Sequence, residues 1–211
     1  MRIHNIEQRT PEWHQLRIGK VTGSNLKKVL SKNWMDYTDR IVSEQLTGMS
    51  EEDEDGFVSF DMQLGIDREP LAIEQYEIEN QCKVTQVGFI ESDEFPQFGF
   101  SPDAIDQDRT FAVEIKCPKV STHIRYIRHG KVPAAYFEQI LSYFVAGESF
   151  EYVDFVSYCP DLEQYPYFQI RTLRTDLTDQ IEQAKTALTK FFNQVETTKQ
   201  LLTRWKPNNS H

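Results

Sequence analysis

Disulfide chemistry has no foothold in this chain. Its three cysteines, Cys82, Cys117 and Cys159, are odd in number and far apart, which excludes a disulfide framework. No C-x-x-C pair occurs, so a thiolate zinc or iron–sulfur site is not expected, and the three read as reduced thiols used as small apolar residues. No apolar run approaches the roughly 18 residues that cross a bilayer, and the opening stretch MRIHNIEQRTPEWHQ lacks the apolar core of a signal peptide. A cytoplasmic protein, with no membrane partner, is expected. Gly/Ser linkers, repeats and low-complexity tracts are also missing. One domain over residues 1–203 and a frayed tail over 204–211 follow. Without a P-loop or G-x-G-x-x-G, no nucleotide fuel is implied, and without G-x-S-x-G no serine hydrolase. His4, His14, His123, His129 and His211 show no H-x-x-x-H or H-E-x-x-H spacing; they are read as surface residues without a role.

Positive charge is the scarcer sign, 23 Lys and Arg against 33 Asp and Glu, for a net charge of −10. That balance excludes a protein that coats DNA by bulk attraction. A nucleic-acid role would need a local basic surface, or metal ions that offset clustered carboxylates. Acid gathers in Glu51-Glu52-Asp53-Glu54-Asp55 and between Asp67 and Glu79. A calcium loop starting at Glu51 would need a bidentate Glu at its twelfth position, which is Met62. The stretch Ser50–Gly56 is therefore read as a solvated loop. Bases gather in Arg17, Lys20, Lys27, Lys28 and Lys32, then in Lys116, Lys119, Arg125, Arg128 and Lys131.

What is present is an ordinary globular composition, 39% hydrophobic and 27% charged. Periodicity suggests a helix from Trp13 to about Leu30, interrupted near Gly19–Ser24, then helices over Tyr37–Leu46 and Met62–Asn80, with Pro70 near the start of the latter or at a kink. Three strands follow at Lys83–Ile90, Phe98–Ile105 and Phe111–Lys116. A helix over Pro133–Ala146, strands near Tyr152–Tyr158 and Tyr167–Leu173, and a long helix capped by Asp176 and running to about Leu202 complete the chain. The expected class is α/β, a mixed central sheet flanked by helices.

The chemistry is concentrated in Gly99-Phe-Ser-Pro-Asp103 and Phe111-Ala-Val-Glu-Ile-Lys116-Cys-Pro118. On a strand Glu114 and Lys116 share one face while Val113 and Ile115 turn to the other. Alone, Glu-x-Lys is a common pattern on a solvated strand face. Asp103, eleven residues before Glu114 (114 − 103), changes its weight. Two antiparallel strands joined by Asp106–Thr110 would bring the two carboxylates together. Such a pair repels unless a cation joins it, and Mg²⁺ or Mn²⁺ is the natural partner. A metal there can lower the pKa of a bound water, and Lys116 can orient or deprotonate that water or stabilise developing negative charge.

Pro-Asp, a spacer and Glu-x-Lys is the signature of the PD-(D/E)xK nuclease superfamily, whose restriction-endonuclease-like core the element order resembles. The resemblance sharpens to the phage lambda exonuclease and YqaJ-type viral recombinase family. It rests on Thr10-Pro-Glu-Trp13-His-Gln-Leu-Arg17-Ile-Gly-Lys20-Val-Thr22-Gly-Ser24, Ser101-Pro-Asp103 and Glu114-x-Lys116-Cys-Pro, spanning Trp13 to about Phe144 with a weaker match beyond. It implies Asp103, Glu114 and Lys116 as catalytic residues, with Gln139 on the following helix helping to hold the nucleophilic water or the DNA. It implies Glu69 and the main-chain carbonyl of Ile115 as further metal ligands, beside Glu74 and Glu77 as neighbours easily confused with Glu69. Arg17, Ser24 and Ser101 would form a pocket for a 5′-phosphate, a bidentate guanidinium with hydroxyls. Two Mg²⁺ ions, with Mn²⁺ as a substitute, linear double-stranded DNA ends, a ring-shaped homotrimer and a single-strand annealing partner in phage or prophage recombination complete the implication. Two departures stand out: Ala104 where the family favours Gly, and Leu141 where a second glutamine is common; neither removes a metal ligand. The rival readings are a restriction-like or structure-specific endonuclease with the same metal site, a branch carrying an iron–sulfur cluster that three scattered cysteines disfavour, and a non-catalytic DNA-binding assembly protein.

Overall fold

The computed structural model describes residues 1–51 and 60–205. Most of the Ser50–Gly56 loop and residues 206–211 of the tail lie outside the described residues. In chain order the elements are β1 (Arg2–His4), α1 (Pro11–Arg17), β2 (Val21–Thr22), α2 (Leu26–Leu30), α3 (Trp34–Thr47), α4 (Phe60–Asn80), β3 (Val84–Thr85), β4 (Phe89–Glu91), β5 (Phe98–Phe100), β6 (Ala104–Asp106), β7 (Phe111–Lys116), α5 (Val120–His129), α6 (Phe137–Ala146), β8 (Tyr152–Tyr158), β9 (Tyr167–Leu173) and α7 (Thr178–Arg204).

Two sheets form. The main one runs β3-β6-β7-β8-β9, parallel only between β7 and β8; the smaller runs β1-β4-β5-β2. The mixed α/β class is as expected. The expected strands Lys83–Ile90 and Phe98–Ile105 each divide between the two sheets. In the second case the break falls at Ser101-Pro102-Asp103, where proline has no N–H to give a ladder.

The main sheet is covered on both faces, and the strand period of two sorts the residues. Ala104, Phe111, Val113, Ile115 and Val156 pack with Ala72 and Tyr76 of α4. Ile105, Ala112, Val153 and Phe155 face Ile140, Tyr143 and Phe144 of α6, in the larger core that α3 and α7 close. In the middle of the α4 face, Asp154 is fully buried; it accepts from Arg171 Nε and Nη2 at 2.9 and 2.8 Å and from the Tyr76 hydroxyl at 2.8 Å.

Other expectations are refined or corrected. The first helical stretch is interrupted where expected: α1 ends at Arg17, and β2 and a 3₁₀ turn at Gly23–Asn25 separate it from α2. Gly19, with φ +69°, makes the reversal that a side chain would resist. Of the two places offered for Pro70, the start of the helix or a kink, the first is excluded, since it sits mid-helix in α4. Helix α5 was not anticipated, and it buries His123, whose ring nitrogens meet Ser157 Oγ at 2.7 Å and the Tyr165 carbonyl at 2.9 Å. Its reading as a surface residue fails because the apolar and polar positions of this short basic helix are mixed in sequence. The Asp176 cap takes a modified form: a 3₁₀ turn, Arg174–Leu177, precedes α7, and Asp176 Oδ2 accepts from the Leu173 N–H at 3.3 Å.

Gly23 lets the 3₁₀ turn press on α6, since a Cβ there would lie 2.4 Å from Ser142 Oγ and 3.0 Å from Phe100 Cβ. Gly23→Ala is therefore expected to destabilise the fold by about 1–3 kcal/mol through overpacking. Adding Ser142→Ala should recover part of that loss, so the double variant's urea midpoint lies above the value expected from summing the two single effects.

Candidate active site

The hairpin β6–β7 builds the site. Its register pairs Ala104 with Val113 and Ile105 with Ala112, and one further step sets Asp103 opposite Glu114. Directly opposed residues of an antiparallel pair project on the same face, here the α6 face. The turn is fixed by Asp106, whose Oδ1 accepts from the N–H groups of Thr110 and Phe111 at 2.7 and 2.8 Å. Asp103 is tied to the partner strand, because its Oδ2 accepts from the Ile115 N–H at 2.6 Å.

Glu114 is fully buried. Its Oε1 is ion-paired with Lys116 Nζ, and its Oε2 accepts from the Tyr143 hydroxyl. Burial, and then the Glu114 and Asp103 charges, push the Tyr143 hydroxyl well above its usual range, so it stays protonated as a donor. Burial, and then the Glu114 charge beside it, push the Asp103 carboxyl well above the usual range. Burial alone would lower the Lys116 ammonium, but the Glu114 and Asp103 charges outweigh it and the net shift is upward. Lys116 thus stays cationic, its Nζ 5.1 Å from the Tyr136 ring centroid. Burial raises the Cys117 thiol to about 12, which keeps it neutral.

Two cavities meet at this group. One, of about 170 Å³, is lined by Arg17, Ser24, Ser101, Asp103, Glu114, Lys116 and Gln139, with Gln8 and Trp13 completing the wall. The other, of about 420 Å³, shares Asp103 and Lys116 and adds Glu69, Ile115, Arg9, Cys117 and Tyr136. Every residue given a catalytic, metal or phosphate-binding role from the sequence thus borders one or both. Glu69 lies close enough to raise Asp103 further, but its oxygens are held by Arg9 Nη2 at 2.9 Å and Gln86 Nε2 at 3.2 Å. Glu74 and Glu77, its neighbours in sequence, border neither cavity, and Glu77 is bound to Lys83 and the Val84 N–H. Leu141 is buried in the core, so the departure there serves packing.

Three contributors escaped the sequence. Tyr143 lies one helical turn after Gln139 on α6, a spacing that puts both on one face. Trp13 donates through Nε1 to Ser101 Oγ at 3.0 Å and to the Gly88 carbonyl at 2.9 Å, while the Arg17 guanidinium stacks 3.7 Å from its ring centroid. One indole thus positions two of the predicted phosphate-binding groups. Gln8 Nε2 holds the Val87 and Pro102 carbonyls at 3.0 and 2.9 Å.

The donor set suits a hard divalent cation: the buried Glu114 and half-buried Asp103 carboxylates, the nearby Glu69 and the Ile115 carbonyl are all oxygen ligands. Among the described residues no three His, Cys, Asp or Glu side chains already converge as a preformed metal cluster; the acidic pair is instead compensated by Lys116, Tyr143 and the Ile115 N–H.

A mixed sheet carrying an acid pair and a lysine on one face, with helices over it, defines a nuclease of the PD-(D/E)xK type. The model of the YqaJ-like viral recombinase domain matches residues 12–148, and the chain belongs to that family. It is similar to the crystal structure of an alkaline exonuclease from Laribacter hongkongensis, with TM-score 0.76 and 34% identity over 92% of this chain and 99% of that one. The same protein in complex with dAMP matches equally well. A phage-related exonuclease from Haemophilus somnus 129PT, at TM-score 0.57 and 16% identity over 85% of this chain and 96% of that one, shares the fold. No curated protein sequence matches the chain.

Tyr143→Phe is expected to weaken Mn²⁺ binding, measured by calorimetry, by about 10–100-fold, as is usual when a group orienting a ligand is lost. A second expectation concerns the metal-free fold. A carboxyl whose folded pKa is raised contributes stability that is fully present at or below the unfolded carboxylate value, about 3.9, and lost as pH rises through the folded one. In EDTA, stability should therefore decline as pH climbs above that value toward the raised Asp103 pKa. Asp103→Asn should flatten the decline in urea titrations taken across that range.

Proposed function

We propose that this protein is a Mg²⁺-dependent 5′–3′ exodeoxyribonuclease that digests one strand of linear double-stranded DNA and leaves a 3′ single-stranded tail. The coarser statement, a DNA-hydrolysing exonuclease, follows from family membership and from the alkaline exonuclease at 34% identity. The finer one is carried by a single observation: Arg17, Ser24 and Ser101 border the same cavity of about 170 Å³ as Asp103, Glu114 and Lys116. In so small a space, a terminal phosphate held by a guanidinium and two hydroxyls sets the next phosphodiester against the acid pair. A cutter of internal bonds has no use for an anion pocket at that distance. The dAMP complex of the Laribacter protein accords with mononucleotides as products.

Asp103, Glu114, the Ile115 carbonyl and Glu69, released from Arg9, are the groups that would hold Mg²⁺, two ions or one, with Mn²⁺ as substitute. The metal supplies Lewis acidity and a water of lowered pKa. Tyr143 fixes Glu114 Oε2, and Lys116 holds Oε1. Lys116, kept cationic, offsets the charge that develops on the phosphate oxygens rather than serving as a base. Gln139 orients the attacking water, and Trp13 holds Arg17 and Ser101 so that the chain end docks in one orientation. We further assign the chain a homotrimeric ring around DNA, a single-strand annealing partner and a cytoplasmic setting in a host cell. These accord with the family, and with a negative exterior on which positive charge is needed only where DNA runs. Among the described residues no helix is long and apolar enough to cross a membrane.

The test is digestion of 5′-phosphorylated linear, 5′-hydroxyl linear and closed circular duplexes, with Mg²⁺ or EDTA. Rapid loss of the phosphorylated linear substrate alone, abolished by EDTA and reduced by roughly three orders of magnitude in Lys116→Ala, is expected. Nicked circles would favour the endonuclease reading, and full Mg²⁺-dependent activity in Asp103→Ala would remove the site.

A further inference from the structure

Between Lys116 and Phe137 the chain carries Lys116, Lys119, Arg125, Arg128 and Lys131 and no acidic residue, within a protein of net charge −10. The fold turns this stretch into a face. His123 and Tyr126 are buried and fix the rotation of α5, so that Ser121, Ile124, Arg125, Arg128 and His129 point outward. Among the described residues, eight bases elsewhere are neutralised: Arg9, Lys20, Arg40, Arg68, Lys83, Arg171, Lys185 and Lys199 each pair with a carboxylate. Among the described residues no carboxylate pairs with Arg125, Arg128 or Lys131.

This face adjoins the catalytic cavity. Arg125, Tyr126, His129, Lys131, Val132 and Pro133 line a hollow of about 300 Å³. Tyr126 meets Tyr136 edge-on, ring centroids 6.5 Å apart, and Tyr136 forms the wall of the larger cavity that Lys116 also borders. That pair of rings joins the lining of the hollow to the wall of the catalytic cavity. A strand with a phosphodiester at Lys116 must pass close to this surface on one side of the cut.

We infer that the exposed face of α5 with the Gly130–Pro133 turn is the track for the DNA backbone next to the scissile bond, Arg125, Arg128 and Lys131 each neutralising a phosphate. The inference rests on the DNA-exonuclease reading. It says why an acidic chain leaves three cations uncompensated beside its active site: the phosphates are their counterions, and binding releases the salt ions that otherwise attend them. Continuity with the catalytic wall favours DNA over an acidic peptide, which would have no reason to lie against Tyr136.

The test measures binding of a 5′-phosphorylated duplex by fluorescence anisotropy in EDTA, so that no cleavage intervenes, over roughly 50–200 mM salt. The variant Arg125→Ala/Arg128→Ala/Lys131→Ala should flatten the slope of log Kd against log salt by about one unit per residue, about three in all. Arg125→Lys/Arg128→Lys/Lys131→Arg, which preserves charge, should keep the wild-type slope. Unchanged melting temperatures show that both variants are folded. An unaltered slope in the alanine variant overturns the inference, as does equal loss in the charge-preserving one. An alanine variant that loses binding of a poly-glutamate peptide while its DNA slope is unaltered would overturn it in favour of a protein partner. A wild type that binds with the expected slope but never digests DNA in Mg²⁺ would instead count against the exonuclease reading.

Discussion

Two like charges held close together on neighbouring strands are what the rest of this molecule is arranged around. Glu114, fully buried, and Asp103, half-buried, face one another across β6–β7. Left alone, such a pair drives protonation of one member. The fold answers with three donors, the Lys116 ammonium, the Tyr143 hydroxyl and the Ile115 N–H, each delivered by a different piece of backbone. Tyr143 and the core around it bury Glu114; the hairpin keeps the acids opposed.

Seen this way, the two cores have different tasks. Ala72 and Tyr76 of α4 press on Val113 and Ile115 and so fix the strand from behind. Tyr143 presses from the front, ring against Phe100 at 4.4 Å, and brings a polar atom with it. The buried Asp154–Arg171–Tyr76 group sits behind the same sheet but opens onto no cavity that holds the acids. Its geometry, bidentate and hydrogen-bonded throughout, is that of a satisfied structural ion pair, which specifies the packing of α4 on β8 and β9.

How much of this was legible in the residues depends on whether the signal was local. The alternation of Phe111–Lys116 stated which side chains share a face, and the eleven-residue gap from Asp103 to Glu114 implied a hairpin; both are short-range facts, and the structure places the pair as they suggest. Strands β8 and β9 and the long helix α7 were equally plain because their periods are unbroken. The splitting of two expected strands between two sheets was not legible, since sheet membership is settled by partners distant in the chain: β1 for β4, β2 for β5. Helix α5 stayed hidden behind its own charges. Tyr143 and Trp13 were invisible as contributors because an aromatic at helical spacing reads as packing, and only the fold shows where its polar edge lands.

One detail of the hairpin has a bearing on assembly. In a ladder continued past β6, Ile115 would face position 102; instead its N–H is taken by the Asp103 carboxylate, and the Pro102 carbonyl accepts from Gln8. A carboxylate of the candidate site has thereby been written into the sheet as one of its rungs. A register slip would cost the molecule that rung and the acid pair in the same stroke, so a folded but miszipped chain has no half-formed centre with which to nick DNA.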